Sequence, residues 1–168
     1  LFDDGAEDFI PSIFRSMPLR DYEDLYRIWN LARNTGGWFD HAKEALEQGL
    51  ITPSQVLCCR EDVLDYLACR GCPYETAFEI VEYVRVGKAS AKRHTPPDTC
   101  FLPQHWDALQ ACGAEDWFLE SCQKIEYLFP RGHGAAMADC LARLVWYAIH
   151  APKESEAVFK KAAEQNGF

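Results

Sequence analysis

Nowhere do these 168 residues string together the roughly 20 apolar side chains that a bilayer-crossing helix needs, which excludes a helical membrane anchor. The strict apolar–polar alternation of a half-buried strand is also missing, so a sheet-based core is not expected. There are no internal repeats and no low-complexity runs, which rules out solenoids and flexible linkers. Positive charge is in short supply: 17 Lys and Arg stand against 26 Asp and Glu, for a formal net charge of -9. A self-sufficient nucleic-acid binder draws its affinity from Lys and Arg neutralising phosphates, so that class is disfavoured for the chain as a whole. Local basic patches can still sit on an acidic body. Residues 1–8 are acidic and lack the basic start of a secretory signal. An initiating Met is absent too, and the expectation is a piece of a longer or processed chain.

What is present is globular. Hydrophobic residues make up 48% and charged residues 26%, enough to bury a core, and the length suits one domain over residues 1–168. Eight cysteines invite a disulfide or metal reading. Several fall inside apolar helical patterns instead, with Cys122 four residues after Phe118 and Cys140 three after Met137. With no export signal, reduced core cysteines are the favoured reading. Zinc is the alternative, since Cys58, Cys59, Cys69 and Cys72 are close in sequence and Cys69-x-x-Cys72 has ligand spacing. A helix over residues 60–70 would be roughly 15 Å long and would hold the two pairs at opposite ends. No βαβ pattern surrounds Cys69 and Cys72 to suggest a thioredoxin-like role.

The periodicity is helical almost throughout, which predicts an all-α fold of about eight helices. Tyr22, Leu25, Tyr26 and Trp29 mark one buried face, and Ala77, Ile80, Val81 and Val84 another. Met137, Cys140, Leu141, Leu144, Val145 and Ala148 form the longest stripe. Gly49 and Gly71 stand where helices should stop, and Pro73 and Pro130 where the next ones should start. Residues 90–103, with Thr95-Pro96-Pro97-Asp98, read as an internal surface loop.

The most informative stretch is Tyr127-Leu128-Phe129-Pro130-Arg131-Gly132-His133-Gly134-Ala135-Ala136-Met137. A proline stop leads into two glycines, two basic side chains and a long amphipathic helix. Free backbone N–H groups and the positive dipole end at such a helix start attract anions, and Arg131 and His133 add charge there. A plain helix start with a solvated Arg and His is the alternative reading of the same residues.

This segment resembles the Tyr-Met-Phe-Pro-Lys-Ala-His-Ala-Ala-Ala-Tyr segment of PolC-type bacterial DNA polymerase III alpha subunits (family C), which opens a long helix of the fingers. The likeness runs on in order through the chain. Cys59-Arg60-Glu61-Asp62-Val63 with Tyr66-Leu67 and Gly71 is similar to the family's Cys-Arg-Asp-Asp-Ile…Tyr-Leu…Lys-Gly. Ala77-Phe78 and Val84-Arg85…Gly87-Lys88 match Ala-Phe and Val-Arg-Lys-Gly-Lys. Leu31…Thr35…Trp38…Ala42 and Trp117…Ser121-Cys122…Lys124-Ile125 match two further stretches.

The resemblance implies a polymerase fingers-like helical domain that closes over a primer terminus and helps bind the triphosphate of an incoming deoxynucleotide. By motif, Arg85, Lys88, Arg131 and His133 are the phosphate-binding candidates. The implied partners are deoxynucleoside triphosphate, primer-template DNA and other replisome proteins, in a bacterial cytoplasm and away from membrane. The family's nucleotidyl transfer uses palm aspartates that hold two Mg²⁺ ions. This sequence has no Asp-x-Asp on a strand pattern, and Asp3-Asp4 is only an acidic pair near a terminus. The chain is therefore not expected to polymerise DNA alone or to carry a cofactor of its own. Three departures support a second reading, a stand-alone, degenerate fingers-derived interaction module without nucleotide binding. The family's Tyr is Met137, which removes a ring that could stack on a base. Its Ser-His-Gly is Ala32-Arg33-Asn34, and Asp139 brings negative charge near the phosphate end.

Overall fold

A computed structural model describes residues 9–34, 38, 42–93 and 100–166. Among them the fold is all-α, without a strand. The helices are α1 (Phe9–Ser16), α2 (Tyr22–Arg33), α3 (Lys43–Glu47), α4 (Arg60–Cys69), α5 (Tyr74–Arg85), α6 (Pro103–Ala111), α7 (Asp116–Lys124), α8 (Arg131–His150) and α9 (Pro152–Asn166), with 3₁₀ turns at Pro53–Gln55 and Ala91–Arg93. The 90–103 region holds the second of these turns, and α6 starts on Pro103 itself; it is not simply a surface loop, because Ser90, Cys100 and Phe101 are buried and the last two belong to the core. Thr95-Pro96-Pro97-Asp98 lies outside the described residues.

The helices start and stop for local chemical reasons. Asp21 caps α2 by accepting from the Asp24 amide at 2.9 Å. Asp62 caps α4 by accepting from the Cys58 and Cys59 amides at 2.8 and 3.1 Å. Gly71 follows α4 with φ 79°, the left-handed conformation that stops a helix at little cost only in glycine. Gly87 (φ 69°) plays the same part after α5, with a further constraint: a Cβ there would run into the backbone of Glu126. That close approach lets residues 126–128 lie against the end of α5.

Two apolar clusters form the core. One gathers Val63 and Leu67 of α4, Ile80 and Val84 of α5, Leu109 of α6, and Phe118 of α7. The other gathers Ile13 of α1, Ile28 and Leu31 of α2, Trp38 and Ala45. Trp117 packs against both. On α5 the expected face is the buried one, with Ala77, Ile80, Val81 and Val84 at most 2% exposed. On α2 the buried face is rotated from expectation. Tyr26 of the expected face is buried, together with Ile28, Asn30 and Leu31, whereas Tyr22 is exposed and Leu25 and Trp29 are half-buried. The cause is a double neighbour: α2 packs against α1 on one side and α8 on another. A single stripe does not describe a helix with two contact faces.

The long stripe on α8 is corrected more sharply. Only its first turns are covered, at Gly134 and Ala138, while Cys140, Leu144, Val145 and Ala148 are exposed. The helix runs on past the elements that could bury it. None of the eight cysteines forms a disulfide. Cys122 is a core residue, pushed well above the usual thiol range by burial, but Cys69 and Cys140 are exposed.

Two outcomes are expected of this packing. Gly134 sits against buried Asn30, and a Cβ there would lie 2.5–2.7 Å from that side chain. Gly134→Ala should therefore lower stability in urea by about 1–3 kcal/mol, as overpacking does. His105 is 3% exposed and edge-on to Tyr83 at 5.0 Å. Burial pushes its pKa down, against an opposing pull from Glu79. The unfolded chain takes a proton at this His near pH 6.5 while the folded chain resists it, so stability present above that pH is lost as pH falls, by up to about 1.4 kcal/mol per pH unit. Melting curves between pH 7.5 and about 5 should show this slope, and His105→Phe should flatten it.

Candidate functional site

Pro130 takes an extended conformation (φ -69°, ψ 150°) and Arg131 opens α8 directly after it. The two residues before Pro130 are pinned from several sides. The Leu128 amide donates to the Arg85 carbonyl at 3.0 Å and the Arg60 amide to the Phe129 carbonyl at 3.1 Å. The Phe129 amide donates to the Asn34 side chain at 3.2 Å, and Asn34 in turn donates to the Cys58 carbonyl at 2.7 Å. Asn34, one of the departures from the family pattern, is thus a buried bridge between α2, the start of α4 and the segment that leads into α8.

The start of α8 already holds a carboxylate. The Arg131 amide donates to Glu61 Oε2 at 2.7 Å. Burial would raise the Glu61 carboxyl, but the Arg131 amide and the Arg60 guanidinium hold it below the usual range. The Arg131 side chain is engaged as well, with Nη2 at 2.7 Å from Asp65 and 3.2 Å from Asp62. These contacts are unequal. Asp65 is 59% exposed, so its pair with Arg131 is worth about 0–1 kcal/mol. Asp62 is only 11% exposed and also faces the nearly buried Arg27 at 3.6 Å. Cys59 donates its thiol to Asp62 at 3.1 Å, and burial beside that carboxylate pushes its pKa up to about 12. It is a packed thiol, not a nucleophile.

An open cleft of about 640 Å³ adjoins this clamp, with Arg131, Arg27, Arg70 and Tyr66 in its wall. Each guanidinium there has a carboxylate partner: Asp62 for Arg27, Glu115 for Arg70, and Asp62 with Asp65 for Arg131. Nor do Glu61, Asp62 and Asp65 form a Mg²⁺ cradle, since each already accepts hydrogen bonds from Arg131. Among the described residues no three His, Cys, Asp or Glu side chains converge as a metal cage would require.

The other candidates fall into two places. His133 is exposed and its ring stacks on Phe129 at 4.9 Å and 21°. Phe129 meets Tyr127 edge-on at 4.8 Å. Arg85 belongs beside this three-ring ladder, because its carbonyl receives Leu128; its guanidinium pairs with Glu82 at 2.6 Å. Arg60 adds a second guanidinium, 3.9 Å from the same Glu82. Lys88 lies past the Gly87 turn with its ammonium 6.0 Å over the Tyr83 ring. The fold therefore brings Arg85 and His133 to one segment, turns Arg131 toward the α4 carboxylates, and sets Lys88 over Tyr83. Met137 is half-buried one turn after His133, and Asp139 is tied to Arg143 at 2.8 Å along the same helix. The ring ladder and Arg60 were not singled out as site residues from the sequence, although Tyr127, Phe129 and Arg60 all lie within quoted motifs.

No protein-family model matches the chain. Curated relatives do. DNA polymerase III PolC-type of Mycoplasma genitalium is 32% identical over 165 residues, which is 95% of this chain and 10% of that protein. The PolC-type enzyme of Caldanaerobacter subterraneus subsp. tengcongensis is 28% identical over 159 residues, 92% of this chain and 11% of its own length. That of Bacillus subtilis is 28% identical over 142 residues, 84% of this chain and 9% of its own. The chain thus spans about a tenth of the length of these relatives. Matches over nearly all of its residues, on an all-α fold pinned together at the shared motifs, identify this chain as a region derived from PolC-type DNA polymerase III.

Proposed function

We propose that this chain is the fingers-like part of a PolC-type replicative polymerase in the bacterial cytoplasm, positioning the incoming nucleotide and the template while other parts of the enzyme do the chemistry. The observation that carries the reading is the Tyr127–Phe129–His133 ring ladder beside Arg85 and Arg60 at the entry to α8. Aromatic faces accept any base by stacking, and guanidinium and imidazole groups next to them suit phosphate. In this reading Arg85 and His133 face the nucleotide. Arg131 reaches a phosphate only by leaving Asp65, its more exposed and weaker partner, while Asp62 keeps α8 in register. Lys88 would join from the Gly87 turn. In this reading nucleotidyl transfer is left to the rest of the enzyme.

A specific observation favours the second reading, a fingers-derived interaction module without nucleotide binding. Glu61 already occupies the anion position at the start of α8, and Asp62 and Asp65 already hold Arg131. A triphosphate has to displace internal carboxylates before it gains anything.

An NMR titration with a deoxynucleoside triphosphate at low and moderate salt separates the two. The nucleotide reading expects shifts in the amides of residues 127–137 with a Kd no tighter than about 1 mM, or ~4 kcal/mol, weakening steeply with salt. Arg85→Ala with His133→Ala should abolish the shifts, Arg131→Ala should weaken binding, and Met137→Tyr should strengthen it by restoring a ring. Unmoved amides in the wild type and in Met137→Tyr would leave the interaction module as the account.

A further inference from the structure

Two cysteines from helix ends remote in sequence meet at the edge of the larger core cluster. Cys72 follows α4 and Cys112 follows α6. Cys72 is 7% exposed and belongs to that cluster, and the half-buried Cys112 packs against it. Their side chains face each other closely enough for one thiol to hydrogen-bond to the other. Cys112 gives its own proton to the Leu109 carbonyl at 3.4 Å, so its sulfur is the acceptor and Cys72 the donor. The vicinal Cys58 and Cys59 are not such a pair, because their thiols turn to separate acceptors, the Val56 carbonyl and Asp62.

Both cysteines sit where a helix ends, and the two ends close alike. The Cys72 amide donates to the Leu67 carbonyl at 3.1 Å and the Gly71 amide to Ala68 at 3.0 Å. After α6, the Ala114 amide donates to the Leu109 carbonyl at 2.9 Å and the Gly113 amide to Gln110 at 3.1 Å. Turn positions can make the small dihedral changes that the narrow geometry of a disulfide demands, which a helix interior resists.

We propose that Cys72 and Cys112 are a redox pair, which a hydroperoxide closes into a disulfide tying the end of α4 to the end of α6. The more accessible Cys112 sulfur attacks the peroxide and breaks the O–O bond. One oxygen stays on that sulfur as a sulfenic acid, and the other leaves as water or an alcohol. The Cys72 sulfur then bonds to the Cys112 sulfur, the S–O bond breaks, and the departing hydroxide takes the Cys72 proton as water. The two thiols give up two hydrogens and two electrons, and the peroxide accepts them. Burial, with Cys112 alongside, pushes the Cys72 thiol above its usual range, which suits a protonated partner that resolves the sulfenic acid and does not react first. A dithiol reductant reverses the bond by exchange.

The tie acts on the wall of the cleft. Arg70 pairs with Glu115 at 3.1 Å and lies 3.7 Å over the Tyr66 ring, whose hydroxyl accepts from the Glu115 amide at 2.8 Å. Tyr66, Arg70 and Glu115 line the cleft that also holds Arg131. A covalent link between Cys72 and Cys112 fixes a wall otherwise held by partly exposed contacts. Transient, sensing disulfides are the kind found in reducing compartments.

Oxidation of the dilute chain with hydrogen peroxide, then alkylation of the remaining thiols and peptide mapping by mass spectrometry, tests the proposal. The wild type is expected to yield a peptide pair joined through Cys72 and Cys112, lighter by two hydrogens. Alkylation of both should fall about fivefold or more. The melting temperature should rise by roughly 5–10 °C and return on adding dithiothreitol. Cys72→Ala should lose the link and the rise in melting temperature, while dimedone captures a sulfenic acid at Cys112. The wild-type map stands whether or not that variant folds. Both thiols still open to alkylation after peroxide, Cys69 linked in place of either, or a link only between two chains overturns the proposal.

Discussion

The Asp62 carboxylate is the constraint on which the candidate site depends. It caps α4 through two backbone amides, accepts the Cys59 thiol, and faces Arg131 on one side and Arg27 on the other. Those partners come from α2, from the start of α4 and from the start of α8, which are remote in sequence. A buried charge is tolerated only when its lone pairs are filled, and here they are. Asp62 adds little net stability relative to an apolar packing of the same shape. It gives uniqueness of arrangement, because the middle of α2 and the starts of α4 and α8 have to converge before its charge is matched.

From that point the site is assembled by backbone. Glu61, next to Asp62, takes the first amide of α8, and Asn34 holds Phe129 and Cys58 together. The Gly87 turn lets the chain from Glu126 onward lie against α5, so that Leu128 can bond to Arg85. The ring ladder and its neighbouring guanidiniums follow from these hydrogen bonds. Two motifs about 70 residues apart, one opening α4 and one opening α8, are therefore a single structural unit. The same unit explains the conflict within the proposed function: the carboxylates that position α8 also occupy the place a phosphate would take.

Much of this could be read from the sequence, and the failures have physical causes. Helix content, the α5 face and the stops at Gly71 and Pro130 were legible because they rest on periodicity and local backbone chemistry. The α2 face was right at Tyr26 and off at Tyr22, because a helix with two neighbours does not show one stripe. The α8 stripe was legible as apolar but not as exposed, since periodicity reports which face seeks cover and not whether cover exists. Arg131 and His133 were correctly placed at a helix start. That Glu61, Asp62 and Asp65 would fold onto Arg131 was out of reach, because an acidic first turn on α4 reads equally well as an ordinary complement to the helix dipole.

The claim that Asp62 sets the register of α8 is open to direct measurement by amide hydrogen exchange. Asp62→Asn keeps an acceptor for the Cys58 and Cys59 amides but removes the charge that Arg131 and Arg27 share. Exchange should then quicken in the first two turns of α8, residues 131–138, while the amides of α5 and α6 keep wild-type protection. Unchanged exchange at 131–138, or a uniform rise across all helices, would contradict the account.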